Sequence, residues 1–438
     1  MNVGFVSLGC SKNLVDTEII MGVFKEKGYK IVNQVEDSEI IVVNTCGFIG
    51  TAKEEAVNTI LEMAEYKNHG KCKYLIALGC MVKRYKEDLI KSIPEVDLFL
   101  GTDEYNDIWQ KIGSLIQNNE AIENIDTSHR CNDFLNRVIT TGETTAYLKI
   151  AEGCSNKCTY CAIPYIRGEY ISRPVEEVVQ EAQILANRGI KELIIIAQDT
   201  TKYGIDLYGK SILSELLAKL CDIENIKWVR FLYSYPESIT EDLIEIVKTN
   251  NKICSYFDIP IQHISEDILK RMNRKSDSKS IKNVIDKIRK EIPNVVLRTS
   301  LIVGFPGETE KDFEELKQFV QWAKFDKLGV FEYSKEDGTP AEKFKNHIHH
   351  NTKKKRKNII MTNQQKISRE KLKNFIGKQY EVLIEGITGD KKYYIARSYM
   401  DVPEIDGYIY VKNTKNMYIG DFMNCKICDV IEYDLIAE

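Results

Sequence analysis

Over roughly the first 120 residues, short apolar runs alternate with amphipathic stretches. Val3–Leu8 (VGFVSL), Ile40–Asn44 (IIVVN), Tyr74–Leu78 (YLIAL) and Val96–Leu100 (VDLFL) read as strands. Brief, nearly continuous apolar runs suit strands covered on both faces. Leu14–Lys27 and Thr51–Tyr66 carry helical spacing, and a further helical pattern follows Leu78. This βαβα alternation predicts an α/β domain, Rossmann-like, with a parallel sheet between two helical layers over residues 1–125.

Residues 125–143 are polar and aperiodic, which predicts a boundary. A second alternating series begins at Thr145. Its predicted strands are Ala146–Ile150, Leu193–Ala197, Val229–Tyr233, Ser255–Ile259, Val296–Ile302 and Lys327–Tyr333. Six strands with intervening helices predict an open (β/α)6-type barrel over 140–343. Residues 344–373 read as a basic helical linker that includes Lys353, Lys354, Lys355, Arg356 and Lys357. Its ordinary reading is a solvated helix face, with an rRNA contact as the alternative. Residues 374–438 change character, to short alternating stretches (Tyr380–Glu385, Tyr393–Arg397, Gly407–Val411, Asn424–Ile431) between Gly, Asp and Asn turns. That pattern predicts a small all-β barrel.

Composition agrees with these divisions. The 438 residues suffice for about three domains. With 43% hydrophobic and 29% charged residues, the chain is ordinary globular protein, and disorder is excluded. No apolar run approaches the ~20 residues that span a bilayer, and Met1–Leu8 lacks the marks of an export signal. The expectation is a cytoplasmic protein with no membrane partner. A balance of 61 basic to 65 acidic residues gives a net charge of −4 and argues against bare polyphosphate as the main partner. Twelve cysteines are many for such a chain. In a reducing compartment they are more often metal ligands or catalytic groups than disulfides.

Two sets of cysteines stand out. Cys154, Cys158 and Cys161 have the spacing CxxxCxxC, directly after a predicted barrel strand. Three thiolates within eight residues can hold one face of an iron–sulfur cluster, leaving one iron open. Zinc is the alternative, but the local sequence supplies no fourth ligand for it. With Tyr160 before the last cysteine, the segment resembles the signature of radical S-adenosylmethionine (SAM) enzymes. That resemblance implies a [4Fe-4S] cluster whose open iron chelates SAM and whose electron cleaves it to a 5′-deoxyadenosyl radical. It also implies a reducing electron donor such as flavodoxin or ferredoxin.

Cys10, Cys46 and Cys80 each fall at a predicted strand-to-helix turn (SLGC, NTCG, ALGC). In an open α/β sheet these carboxyl ends lie side by side, and helix N-termini there favour the thiolate. One cysteine at such a turn would be ordinary small-residue packing; three at equivalent turns predict a second cluster site. Two open clusters in one chain resemble the methylthiotransferases, which have an N-terminal cluster domain, a radical SAM core and a C-terminal TRAM domain. Further matching segments are Ile163–Gly168 (IPYIRG), Ser172–Pro174 (SRP), Asp258–His263 (DIPIQH) and Arg298–Glu308 (RTSLIVGFPGE). The resemblance implies two [4Fe-4S] clusters, with SAM as both radical source and methyl donor. Cys154, Cys158 and Cys161 would serve the radical, and Cys10, Cys46 and Cys80 would serve the sulfur.

Within that family, Ser7–Glu18 (SLGCSKNLVDTE), Asn44–Glu55 and Ala197–Gly204 (AQDTTKYG) resemble the branch that modifies an aspartate β-carbon of ribosomal protein S12. The alternative is the tRNA branch, acting on a modified adenosine near the anticodon. A non-catalytic iron–sulfur or zinc protein is the reading from another class. Residues 375–438 hold seven basic and eleven acidic side chains. A tRNA-gripping domain should be basic, whereas an acidic one suits a basic protein partner. By resemblance, Tyr160, Gln198, Asp199, Gly304, Gly307 and Glu308 are candidates for the SAM pocket. Asp258, His263 and Arg298 read equally well as structural. Cys425 and Cys428 occupy one predicted strand, where positions three apart face opposite sides, so no role is assigned to them. Cys72, Cys131, Cys221 and Cys254 read as ordinary thiols.

Overall fold

The computed structural model describes residues 1–116 and 134–438. Part of the predicted boundary, 125–133, and Cys131 lie outside these residues. The chain divides into two units. One comprises Met1–Thr140, Ala151–Ile171 and Ser334–Glu342; the other comprises Thr141–Ile150, Ser172–Tyr333 and Lys343–Glu438.

In the first unit, five parallel strands pair in the order Lys30–Ile31, Asn2–Ser7, Ile40–Thr45, Tyr74–Gly79, Leu98–Gly101. The two-residue strand Lys30–Ile31 is too short to leave a sequence pattern, and it was not predicted. Every residue of Ile40–Thr45 is buried, because helices cover both faces. On one face Ile41, Val43 and Ala77 pack with Ile60 and Met63. On the other, Ile40, Val42 and Leu78 pack with Ile20, Phe24 and Ile112. The strand order reverses between Asn2–Ser7 and Ile40–Thr45, and in such sheets the crevice at that point binds ligands.

In the second unit, the six predicted barrel strands are present as Thr145–Lys149, Glu192–Ile196, Trp228–Phe231, Tyr256–Asp258, Val296–Val303 and Lys327–Glu332. They form two parallel three-stranded sheets. A bridge from Val229 to Ile253 joins them, and the Cys254 N–H donates to the Val229 carbonyl at 2.9 Å. The C-terminal region is a closed barrel of five strands. Its last strand, Asp434–Ala437, was not predicted; it pairs in parallel with Ile409–Lys412 and closes the ring.

This small barrel caps the N-terminal ends of the six strands. Arg397, on Tyr393–Ser398, binds Glu192 at 2.6 Å, and Glu192 also takes Arg230 at 2.9 Å; all three side chains are fully buried. Lys327 pairs with Asp401 at 2.8 Å, Lys227 with Glu381 at 3.3 Å, and the Tyr256 hydroxyl donates to Asp406 at 2.8 Å. Glu385 also binds Arg397. Acidic residues of the small barrel are thus engaged inside the unit, so its net charge overstates what it presents to a partner. The basic linker is the helix His350–Lys373. Within it, Arg356 is buried on Glu308 and the Lys353 Nζ donates to the Tyr333 carbonyl at 2.7 Å. Of the run 353–357, only Lys354 and Lys355 are exposed.

Candidate active site

Cys10 ends the turn after Asn2–Ser7 and caps the helix Ser11–Glu26. Cys46 follows Ile40–Thr45, and Cys80 opens the helix Cys80–Ser92 after Tyr74–Gly79. These three strands are adjacent in the sheet, so the structure brings the three cysteines to one edge. A glycine beside each cysteine permits the approach. At Gly9 (φ +92°) a Cβ would stand 2.7 Å from the Cys46 Cβ and 2.9 Å from its Sγ. At Gly47 it would stand 2.6 Å from the Met81 Cα, and at Gly79 (φ +108°) 2.5 Å from the Thr45 carbonyl. Only glycine fits turns that crowd the backbone this closely.

Asn13 ties the three turns together. Its side-chain nitrogen donates to the carbonyls of Leu8 and Thr45, each at 3.0 Å, and its oxygen lies 3.3 Å from the Cys80 Sγ. At Cys46 and Cys80 the expectation that helix N-termini favour thiolates is not met. Burial raises the Cys46 thiol and pushes Cys80 up to about 12, opposed by Arg167, because desolvation disfavours the anion. The donor set suits an iron–sulfur cluster, for which cysteine thiolates are the usual ligands. Among the described residues no three His, Cys, Asp or Glu side chains converge tightly enough for a single metal ion. Ligands that each take a different iron stand further apart than ligands sharing one ion.

The second cysteine segment lies in the same unit. The Cys154 N–H donates to the Gly168 carbonyl and the Cys161 N–H to the Cys158 carbonyl, both at 3.1 Å. Lys157 turns the chain with φ +52°. Cys154 and Cys158 are buried; Tyr160 and Cys161 are half-buried. The short helix Ile163–Arg167 follows, and at its end Arg167 joins this segment to the other three turns. Its guanidinium donates to Asp16 at 2.6 Å and to the Asn13 Oδ1, and its Nη2 lies 3.5 Å from the Cys80 Sγ. Asn13 and Arg167 both fall in sequence segments already singled out, but their roles required the tertiary contact.

In the second unit, Gln198 and Asp199 follow the strand Glu192–Ile196; Asp199 is fully buried and accepts from the Thr201 hydroxyl. Gly304 (φ +72°) and Gly307 (φ +81°) lie in a turn after Val296–Val303, where a Cβ would collide with Lys353 and Arg271 respectively. Packing therefore accounts for both glycines. Glu308 accepts from the Phe305 N–H at 3.1 Å, from the Gly304 N–H, and from Arg356 at 2.9 Å. Burial pushes its carboxyl up to about 7, against the pull of those donors. His263 is fully buried; its Nδ1 accepts from the Ser265 N–H at 3.1 Å, and burial pushes it down to about 3. Arg298 pairs with Asp258 at 2.7 Å.

The remaining cysteines take no part in these sites. Cys72, Cys221 and Cys254 are buried, the last two with thiols pushed up to about 12. Cys425 is buried and Cys428 half-buried in Phe422–Ile431. The register shifts between Ile427 and Asp429, so strict alternation does not hold across that pair.

Family comparisons fit this architecture. Residues 148–320 match the radical SAM superfamily, residues 2–101 an uncharacterized protein family designated UPF0004, and residues 376–438 the TRAM domain. Among solved structures, a cobalamin- and [4Fe-4S]-bound radical SAM methyltransferase, TsrM from Kitasatospora setae, aligns with a TM-score of 0.57 at 12% identity. The alignment covers 78% of this chain and 76% of that one, a likeness of fold alone. Fold and family matches define a radical SAM enzyme that uses SAM and iron–sulfur chemistry. Full-length likeness narrows the class. A ribosomal protein uS12 methylthiotransferase RimO of Alkaliphilus oremlandii is 61% identical, covering 100% of this chain and 99% of that one. Proteins of the same name from Lachnoclostridium phytofermentans and Clostridioides difficile are each 50% identical, covering 100% of this chain and 99% and 98% of theirs. The chain belongs to the uS12 methylthiotransferase family of radical SAM enzymes.

Proposed function

We propose that this chain inserts a methylthio group at the β-carbon of an aspartate of ribosomal protein uS12. The reading uses two [4Fe-4S] clusters, with SAM as both radical source and methyl donor. The observation that carries it is the gathering of Cys10, Cys46 and Cys80 on one sheet edge, in the same unit as Cys154, Cys158 and Cys161. When bound, the cluster at Cys154, Cys158 and Cys161 supplies the electron that cleaves SAM, and the one at Cys10, Cys46 and Cys80 supplies a place for the inserted sulfur.

The chain's own residues position these groups. Asn13 fixes the three turns, and Arg167 offers N–H donors toward Cys80; hydrogen bonds to ligand sulfur tune such sites. Gln198 and Asp199, after the strand Glu192–Ile196, are the candidates for contacts to SAM in the second unit, and Tyr160 is the candidate within the cysteine segment of the first. Gly304, Gly307 and Glu308 shape a turn of the pocket, with Glu308 engaged by backbone N–H groups and Arg356. The exposed Lys354 and Lys355, with Lys366, Arg369 and Lys373 further along the same helix, are what the basic linker offers for an rRNA contact. A flavodoxin- or ferredoxin-like donor supplies electrons, and the setting is the cytoplasm. The relatives named above are uS12 enzymes, so the tRNA reading is not favoured.

The test is anaerobic reconstitution. The intact chain should bind about eight irons. Replacing Cys154, Cys158 and Cys161 together by Ala should leave about four and abolish SAM cleavage. Replacing Cys10, Cys46 and Cys80 should also leave about four irons, keep SAM cleavage, and abolish methylthiolation of uS12 seen by mass spectrometry. Methylthiolation surviving in that second variant would overturn the assignment.

A further inference from the structure

Several cations lie on the six strands or pack against them from the small barrel, and most are enclosed. Arg230 and Arg397 are fully buried on Glu192, and Lys327 is held by Asp401. Arg298 differs. Among the described residues it makes one hydrogen bond to the protein, from Nη1 to the Asp258 Oδ1 at 2.7 Å. Its side chain keeps 19% exposure, whereas that of Asp258 keeps 2%.

Arg298 is the third residue of the long strand Val296–Val303; its Cα partners are Lys327, the first residue of Lys327–Glu332, on one side and Asp258, the last residue of Tyr256–Asp258, on the other. The Asp258 Oδ2 accepts from the Tyr233 N–H at 3.0 Å, and the Tyr233 carbonyl accepts from the Thr200 N–H at 3.1 Å. The pair is therefore level with the loops that follow Glu192–Ile196 and Trp228–Phe231. Reactive and binding groups of such barrels lie at that level. Tyr233 holds φ +62° there, a conformation bulky residues rarely adopt except where surrounding structure imposes it.

We propose that Arg298, braced by Asp258, binds the carboxylate of the acidic side chain that is modified. The inference rests on the reading of an aspartate substrate, whose reacting β-carbon is bonded directly to the carboxylate carbon. Anchoring that group fixes the reacting carbon one bond away. Asp258 occupies Nη1 and leaves the Nε–Nη2 edge, the edge that takes a carboxylate with two parallel hydrogen bonds. Asp258, itself held by a backbone N–H, keeps the guanidinium turned.

The experiment uses full-length reconstituted protein, a uS12-derived peptide carrying the target aspartate, and the same peptide with asparagine there. Arg298→Gln should raise KM for the aspartate peptide roughly ten- to hundredfold, the scale of a lost charge-assisted pair. Iron content and peptide-independent SAM cleavage should stay unchanged, and the preference for the aspartate peptide over the asparagine one should disappear. Arg298→Lys should recover part of the KM loss, and if Arg298→Gln loses iron the comparison is made on Arg298→Lys, which lacks the fork and must still bind more weakly. An Arg298→Gln enzyme with wild-type KM and wild-type aspartate preference overturns the proposal. A wild type that cleaves SAM but leaves the aspartate peptide untouched overturns the uS12 reading itself, a result distinct from a defect confined to the variant.

Discussion

Two regions of the molecule gather residues from distant parts of the chain, and they do it to opposite ends. The sheet edge collects Cys10, Cys46 and Cys80 on three turns, with Cys10 exposed and Cys46 half-buried. The N-terminal end of the six-stranded array collects Glu192, Arg230 and Arg397, all with no exposure. In the second region, with Glu385 also on Arg397, each charge is answered by another. In the first the thiols are brought together with one of them open to solvent, and burial disfavours the anionic form of Cys46 and Cys80. A fold completes its structural clusters and leaves its functional ones incomplete.

The contrast can be broken most severely at the closed end. Glu192→Ala leaves the Arg230 guanidinium buried without a carboxylate and leaves Arg397 with Glu385 alone. It should destabilise the protein by about 3–5 kcal/mol in denaturant unfolding, the usual penalty for stranding a buried charge. A loss under about 1 kcal/mol would show that solvent reaches the cluster.

A smaller effect should come from His263, which is buried neutral. Its folded pKa, about 3, lies below the unfolded value of about 6.5. The unfolded chain therefore binds the proton first, and stability falls as pH drops through the window from about 6.5 to about 3. At pH 5 the loss should be about 2 kcal/mol. His263→Gln should remove that part of the acid limb, measured as unfolding free energy at pH 7 and pH 5. An unchanged difference between the two pH values would contradict the assignment.

The smallest stability effect belongs to the open edge. Cys10→Ser should change apo-protein stability by less than about 0.5 kcal/mol, as exposed substitutions do. Iron bound after reconstitution should nevertheless fall by up to about four atoms. If stability fell instead and iron were retained, the edge would be structural after all.

The cysteine edge was legible in the sequence because rare residues recur at equivalent turns. SLGC, NTCG and ALGC each end an apolar run, and a parallel sheet sets such ends side by side. The six barrel strands were legible from their apolar runs. The ionic cap was not, because Glu192, Arg230 and Arg397 are ordinary charged residues whose pairing no spacing encodes. For the same reason the acidic balance of the C-terminal barrel pointed outward, while Glu381, Glu385, Asp401 and Asp406 turn partly inward. Arg356 looked like one more base in a solvated run and is buried on Glu308. The thiolate expectation failed at Cys80 because burial is a property of packing, not of a turn.

The sequence by itself determined the order of strands and helices and the two cysteine sets, since periodicity and rare ligand residues are local signals. Tertiary structure alone decided that Asn13 and Arg167 link the cysteine turns, that the C-terminal barrel caps the N-terminal ends of the six strands, and that Arg298 remains open while its neighbouring cations are enclosed. The physical reason is that a charged or amide side chain acquires its role from the partner that replaces its water, and that partner is chosen by the fold.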